Sequence, residues 1–301
     1  MSGAELRSDR PLELHRIGAA CPTSDRHASR DPASPAALDA ETTTDVSTPH
    51  ATAGRICRWS RAKRSLPLDR LVSLSTLGGM YIGLGAALAT LITSDSSLGT
   101  GPTRWLGGIA FSLGLLLVVV GGAELSTGNC LMAIARMCGQ LANHDLWRNW
   151  GISYCANALG ALLLAWVVVR SGICDAEPLR SNAIRIAEAK LALAPAQAFL
   201  RGVLANMLVC LAVWLAMSSH TVVGKFIGIV FPISAFVALG FEHSIANLYL
   251  LPVGLMAGAK GSVGDLLANI APVTAGNLVG GAGVAAGLLY WSHAQGHRSE
   301  R

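Results

Sequence analysis

Chemistry concentrates in GFEHSIAN, residues 240–247, where a glutamate, a histidine and a serine stand in a row inside a long apolar run. Histidine changes charge near neutrality, with an unperturbed pKa of about 6.5. An ionisable side chain at membrane depth is a functional hypothesis by default. His243 is therefore read as a group that hydrogen-bonds an anion or hands it a proton. A second octet, GAELSTGN at 122–129, fits the same frame, Gly-x-Glu-x-Ser-x-x-Asn, and brings Thr127 with it. Enzyme chemistry is not expected. Ser244 is adjacent to His243 in sequence, and no Gly-x-Ser-x-Gly elbow occurs. Metal and cofactor binding are not expected either: the one His-x-x-x-His pair, His293 and His297, lies in a polar tail without partner ligands. The seven cysteines are scattered, odd in number and without a Cys-x-x-Cys, so they read as free thiols.

The elements that must position these octets are membrane helices. The chain is 52% hydrophobic and 14% charged, with mean hydropathy +0.48, against roughly 25% charge in soluble domains. The net charge of +5 is no nucleic-acid signal, because the basic residues gather at the ends and in loops as membrane flanks do. Six apolar runs read as spans, at about 71–93, 105–137, 148–169, 198–217, 224–258 and 270–291. About 20 residues suffice to cross a bilayer. The second and fifth runs are much longer, and each is interrupted by one octet. The expected fold is an all-α membrane protein whose second and fifth helices are broken.

A second echo supports an internal duplication. CANALGAL around Asn157 and AGNLVGGA around Asn277 are 120 positions apart, and the octets are 118 apart. Three spans per copy force opposite orientations, the inverted-repeat plan of many transport proteins. The expected organisation is a disordered polar tail at 1–54, a channel domain at 55–292 with repeats at about 70–170 and 195–292, and a short tail at 293–301. Gly122 and Gly240 are assigned to the breaks, Ser126 and Ser244 to capping the half-helices. Glu124 and Glu242 are expected to accept hydrogen bonds from amides exposed at the breaks or to pair across a protomer interface. The basic cluster Arg55, Arg58, Arg61, Lys63 and Arg64 argues for cytoplasmic termini. The loop carrying Arg170, Arg180, Arg185, Lys190 and Arg201 argues the other way.

The stretches GGIAFSLGLLLVVVGGAEL, LANMLVCLAVW, GFEHSIANLYLLPVGL and PVTAGNLVGG resemble the formate/nitrite transporter family, over about residues 65–292. The resemblance implies an aquaporin-like protomer with its own pore, in a homopentamer in a lipid bilayer, here a bacterial inner membrane. The partners implied are a small monovalent anion of the formate or nitrite class and protons. It also implies roles for particular residues. His243 is the central histidine, Thr127 faces it across the pore, and Asn277 bonds near it. Lys190 sits at an outer vestibule, where a cation attracts anions. Phe111, Leu115, Leu125, Val209 and Phe236 form apolar constrictions, where bare charge is costly. Ser126 stands where many members carry phenylalanine, which bears on gating and substrate. The alternatives are a neutral-solute channel, whose paired Asn-Pro-Ala breaks are absent from the octets, and a non-conducting sensor of the same fold.

Overall fold

A computed structural model describes residues 45–297; residues 1–44 and 298–301, with Cys21 and most of the expected polar tail, lie outside the described residues. Folded structure begins earlier than the expected boundary at 54/55. Helix α1 spans Pro49–Arg64, with Thr48 as N-cap and proline in the first turn. It forms because one face is apolar: Ala53, Ile56 and Cys57 are fully buried. Much of the rest of this helix is polar, which is why composition placed its first residues, 49–54, in the tail.

Then follow α2 (Leu68–Ile92), α3 (Thr100–Gly121) and, after a break, short α4 (Met132–Met137), α5 (Asn143–Arg170), α6 (Leu179–Leu191), α7 (Pro195–Ser218) and α8 (Val222–Ala238). After a second break come α9 (Ser244–Ala257) and α10 (Val263–Leu278). The last helix continues through π-helical turns to Ala294, so the expected tail at 293 begins within it. Five of these helices are long and apolar enough to cross a membrane. Their outward faces carry large apolar side chains such as Leu84, Leu88, Leu163, Trp166 and Leu204. The runs expected at about 71–93, 148–169, 198–217 and 270–291 fall on α2, α5, α7 and the last helix, and the two longer runs are each divided at their octet.

The two halves repeat one packing scheme. Helix α2 packs on α3 and α5, and α7 packs on α8 and α10, while α3 against α8 joins the halves. The breaks also form alike. Helix α3 ends at Gly122 with φ +78°, and α8 runs out at Gly240 with φ +71°. The Ala123 N–H returns to the Val118 carbonyl (3.0 Å), and the Phe241 N–H to the Phe236 carbonyl (3.1 Å). These are Schellman stops, which need a residue in the left-handed region. No atom lies within 4 Å of a Cβ added at either glycine, so the requirement is backbone conformation and not space.

Gly122→Ala and Gly240→Ala are therefore expected to destabilise the protein by about 1–2 kcal/mol each, the left-handed penalty of an L-residue. Gly283→Ala, a helical glycine with open space around its Cα, should be neutral or stabilising. Thermal unfolding of the purified variants checks the contrast.

Candidate functional site

The two breaks meet at a single contact. Thr127 Oγ1 lies 2.9 Å from His243 Nε2, and the two residues are 4% and 2% exposed. His243 is the N-cap of α9, and its ring Nδ1 accepts the Ala246 N–H at 3.2 Å. An acceptor nitrogen carries no proton, and a neutral imidazole has one nitrogen of each kind. The proton of the neutral ring is therefore on Nε2, which donates to the Thr127 oxygen. A fully protonated ring would forfeit the cap, because Nδ1 would then be a donor facing a donor. The cap on α9 is thus the histidine and not Ser244. Ser126 and Ser244 do not use their hydroxyls for capping, and the Ser126 hydroxyl has no hydrogen-bond partner among the described residues.

The backbone at each break is held by an asparagine from the helix that follows. Asn157 Oδ1 accepts the Ser126 N–H (2.9 Å), and its Nδ2 donates to the Ser75 (2.6 Å) and Glu124 (2.8 Å) carbonyls. Asn277 Oδ1 accepts the Ser244 N–H (2.9 Å), and its Nδ2 donates to the Gly202 (2.8 Å) and Glu242 (2.9 Å) carbonyls. Asn277 thus fixes the backbone on both sides of His243 without touching the ring.

The glutamates anchor a second pair of matching networks. Glu124 accepts from Lys63 and from Asn129 Nδ2 (2.8 Å), and that amide also reaches Asn149 Oδ1 (2.8 Å). Glu242 accepts from Lys190 through both oxygens (3.0 Å each) and from Asn247 Nδ2 (2.6 Å), which also reaches Asn269 Oδ1 (2.9 Å). The expected partners, backbone amides, are replaced by side-chain amides and a lysine. Lys190 is accordingly a paired cation and not a free one at a vestibule. Lys63, Asn149 and Asn269 escaped the sequence reading. The last two could have been found at the 120-position offset, whereas the lysines are 127 apart.

Two chambers lie near the Thr127–His243 contact, the larger lined by His243 and the smaller by Gly128, next to Thr127 in the chain. The larger, about 520 Å³, reaches down to Phe111, Phe236 and His243 and includes Lys190, Arg104, Arg185 and Arg201. The Phe111 and Phe236 rings meet edge-on at 5.4 Å. The smaller, about 110 Å³, is lined by Lys63, Glu124, Leu115 and Leu125. Phe111, Leu115, Leu125, Val209 and Phe236 are all at most 5% exposed. Val209 lines neither chamber. Ser126 lines a third cavity, about 250 Å³, between α5 and α10, together with Trp147, Trp150 and Tyr154. That places it beside the two chambers and not in either. Among the described residues, no group of three His, Cys, Asp or Glu side chains is placed to hold a metal.

This geometry has relatives. Residues 50–292 match the formate/nitrite transporter family. A probable formate transporter of Methanothermobacter thermautotrophicus is 40% identical over 248 residues, 76% of this chain and 90% of the relative. The formate channel FocA of Escherichia coli strain K12 is 35% identical over 242 residues, 72% and 84% of the two chains. A solved pentameric formate channel with formate bound superposes with a TM-score of 0.68 at 35% identity, over 74% of this chain and 96% of that one. An ion channel of the FNT family superposes with a TM-score of 0.70 at 28% identity, over 81% and 97%. The chain belongs to the formate/nitrite transporter family, a family of transporters and channels and not of enzymes.

Proposed function

We propose that this protein passes small monovalent anions of the formate or nitrite class through a pore in each protomer of a homopentamer, with His243 making the passage proton-linked. The observation that carries the reading is the Nε2–H of His243, aimed at Thr127 at the floor of the larger chamber beside the apolar side chains of Phe111 and Phe236. An anion of this size reaches the ring from the larger chamber and takes the donor now shared with Thr127. Beyond it stand Leu115 and Leu125, where an unpaired charge is costly. Crossing as the neutral acid lowers that cost. The proton reaches the ring only when the Ala246 cap opens, because Nδ1 is tied to that N–H. Anion arrival and proton uptake are thereby linked through one helix cap.

Three passages per repeat turn the second copy upside down, so the two Lys–Glu networks face opposite sides of the membrane. The basic cluster on α1 supports a cytoplasmic N-terminus, and with it a C-terminus on the same side of a bacterial inner membrane. Pairing discounts both sides: Lys190 is neutralised by Glu242, and Lys63 and Arg64 by Glu124 and Asp145, which leaves Arg55, Arg58 and Arg61 to carry the argument on α1.

Two outcomes test this. His243→Phe should lower formate or nitrite uptake into proteoliposomes about 10- to 100-fold and flatten its pH dependence, since hydrogen bonds to charged groups are worth ~1.5–3 kcal/mol; unchanged uptake refutes the central-histidine reading. Lys63→Met leaves Glu124 buried and unpaired, which should cost about 3–5 kcal/mol of stability. Lys63→Met combined with Glu124→Gln should recover most of it, as read by unfolding of the purified proteins.

A further inference from the structure

We infer that the larger chamber is also a binding site for a small dicarboxylate dianion, which it holds as a plug and does not pass. This rests on the anion-pore reading and goes beyond it. Arg104 comes from α3, Arg185 from α6 and Arg201 from the second turn of α7, so three separate elements converge on one cavity. The only acidic side chain lining it is Glu242, which is already paired with Lys190. Asp95, next to the lining residue Ser96, does not line it, and Glu188 on α6 instead accepts the Lys260 N–H at 3.0 Å. None of the three arginines has a carboxylate within salt-bridge distance among the described residues.

Their donor capacity is largely unspent. Each guanidinium has five N–H donors. Arg185 uses one on Asn182 Oδ1 at 2.5 Å, and Arg201 uses one on the Gly240 carbonyl at 3.4 Å. One formate can satisfy one fork. Two carboxylates on a short linker satisfy two, and bidentate Arg–carboxylate pairing is both strong and geometrically selective. The chamber, about 520 Å³, falls in the size range of small-molecule sites.

The same dianion cannot continue. The floor of the chamber is Phe111, Phe236 and His243. His243 can supply one proton, which leaves a monoanion facing the apolar constriction with its charge intact. Binding without passage makes the dianion an inhibitor from this side. Three arginines are more cation than a one-charge substrate needs, and this accounts for them.

The test is uptake of labelled formate into proteoliposomes with oxalate on both sides. Oxalate should halve the uptake at a concentration about tenfold below that of acetate, one bidentate pair being worth at least that factor. Labelled oxalate itself should not accumulate. Arg104→Gln with Arg185→Gln should raise the half-inhibiting oxalate concentration about tenfold relative to that variant's own uninhibited rate. Arg201→Lys, which keeps the charge and loses the fork, should raise it less. Accumulation of oxalate, inhibition no stronger than by acetate, or a double variant as sensitive as the parent would overturn the proposal. Absence of formate uptake under every condition would refute the pore reading instead. Calorimetric titration of oxalate and acetate into the purified parent protein then decides the chamber on its own: saturable binding preferring oxalate supports the site, and none removes it.

Discussion

A backbone amide without a partner inside a bilayer costs several kcal/mol, so a helix can stop there only where side chains replace the bonds it gives up. Everything else in this protein depends on that constraint being met twice. Asn157 and Asn277 meet it, each with one accepted N–H and two donated bonds around a break. A carboxylate can accept at depth only when its charge is compensated, and Lys63 and Lys190 compensate it. The polar octets are thus not interruptions tolerated by the membrane. They carry the bonds that replace those given up by two helix ends.

The functional consequence follows from where those ends point. One break presents a hydroxyl, the other an imidazole whose second nitrogen is occupied by its own helix. The N-cap therefore sets which nitrogen faces Thr127 as a donor. The Glu–Asn networks lie next to the residues that matter, with Glu242 adjacent to His243 and Asn129 two positions from Thr127. Displacing either carboxylate would shift the backbone that aims the central pair. Rigid support of this kind lets an apolar constriction coexist with a single directed polar contact.

Much of this was legible in the sequence, for physical reasons. The octets stood out because a glutamate and a histidine in apolar runs demand an explanation. The echo at Asn157 and Asn277 was visible because their offset nearly equals that of the octets. The lysines were not paired in the reading, because the repeat shifts register after its first spans begin: Lys63 and Lys190 each stand five residues before the start of α2 and α7, but Glu124 follows the start of α2 by 56 residues and Glu242 the start of α7 by 47. Helix α1 was hidden by its polar face, although Ala53, Ile56 and Cys57 recur at helical spacing. The constrictions at Phe111 and Phe236 came only from the family resemblance, since an apolar residue in an apolar helix carries no mark of which side it faces. Ser126 was placed by that same resemblance at a constriction, yet its side lies toward the α5–α10 cavity.

The central claim is that the α9 cap fixes His243 as a neutral Nε2–H donor at the meeting of the breaks. Nitrogen-15 NMR of the histidine-labelled protein in lipid bilayers, assigned by comparison with His243→Phe, tests it most directly. The account predicts that at neutral pH His243 shows one protonated nitrogen, Nε2, and one acceptor nitrogen, Nδ1. A ring protonated on Nδ1, or on both nitrogens, would contradict it.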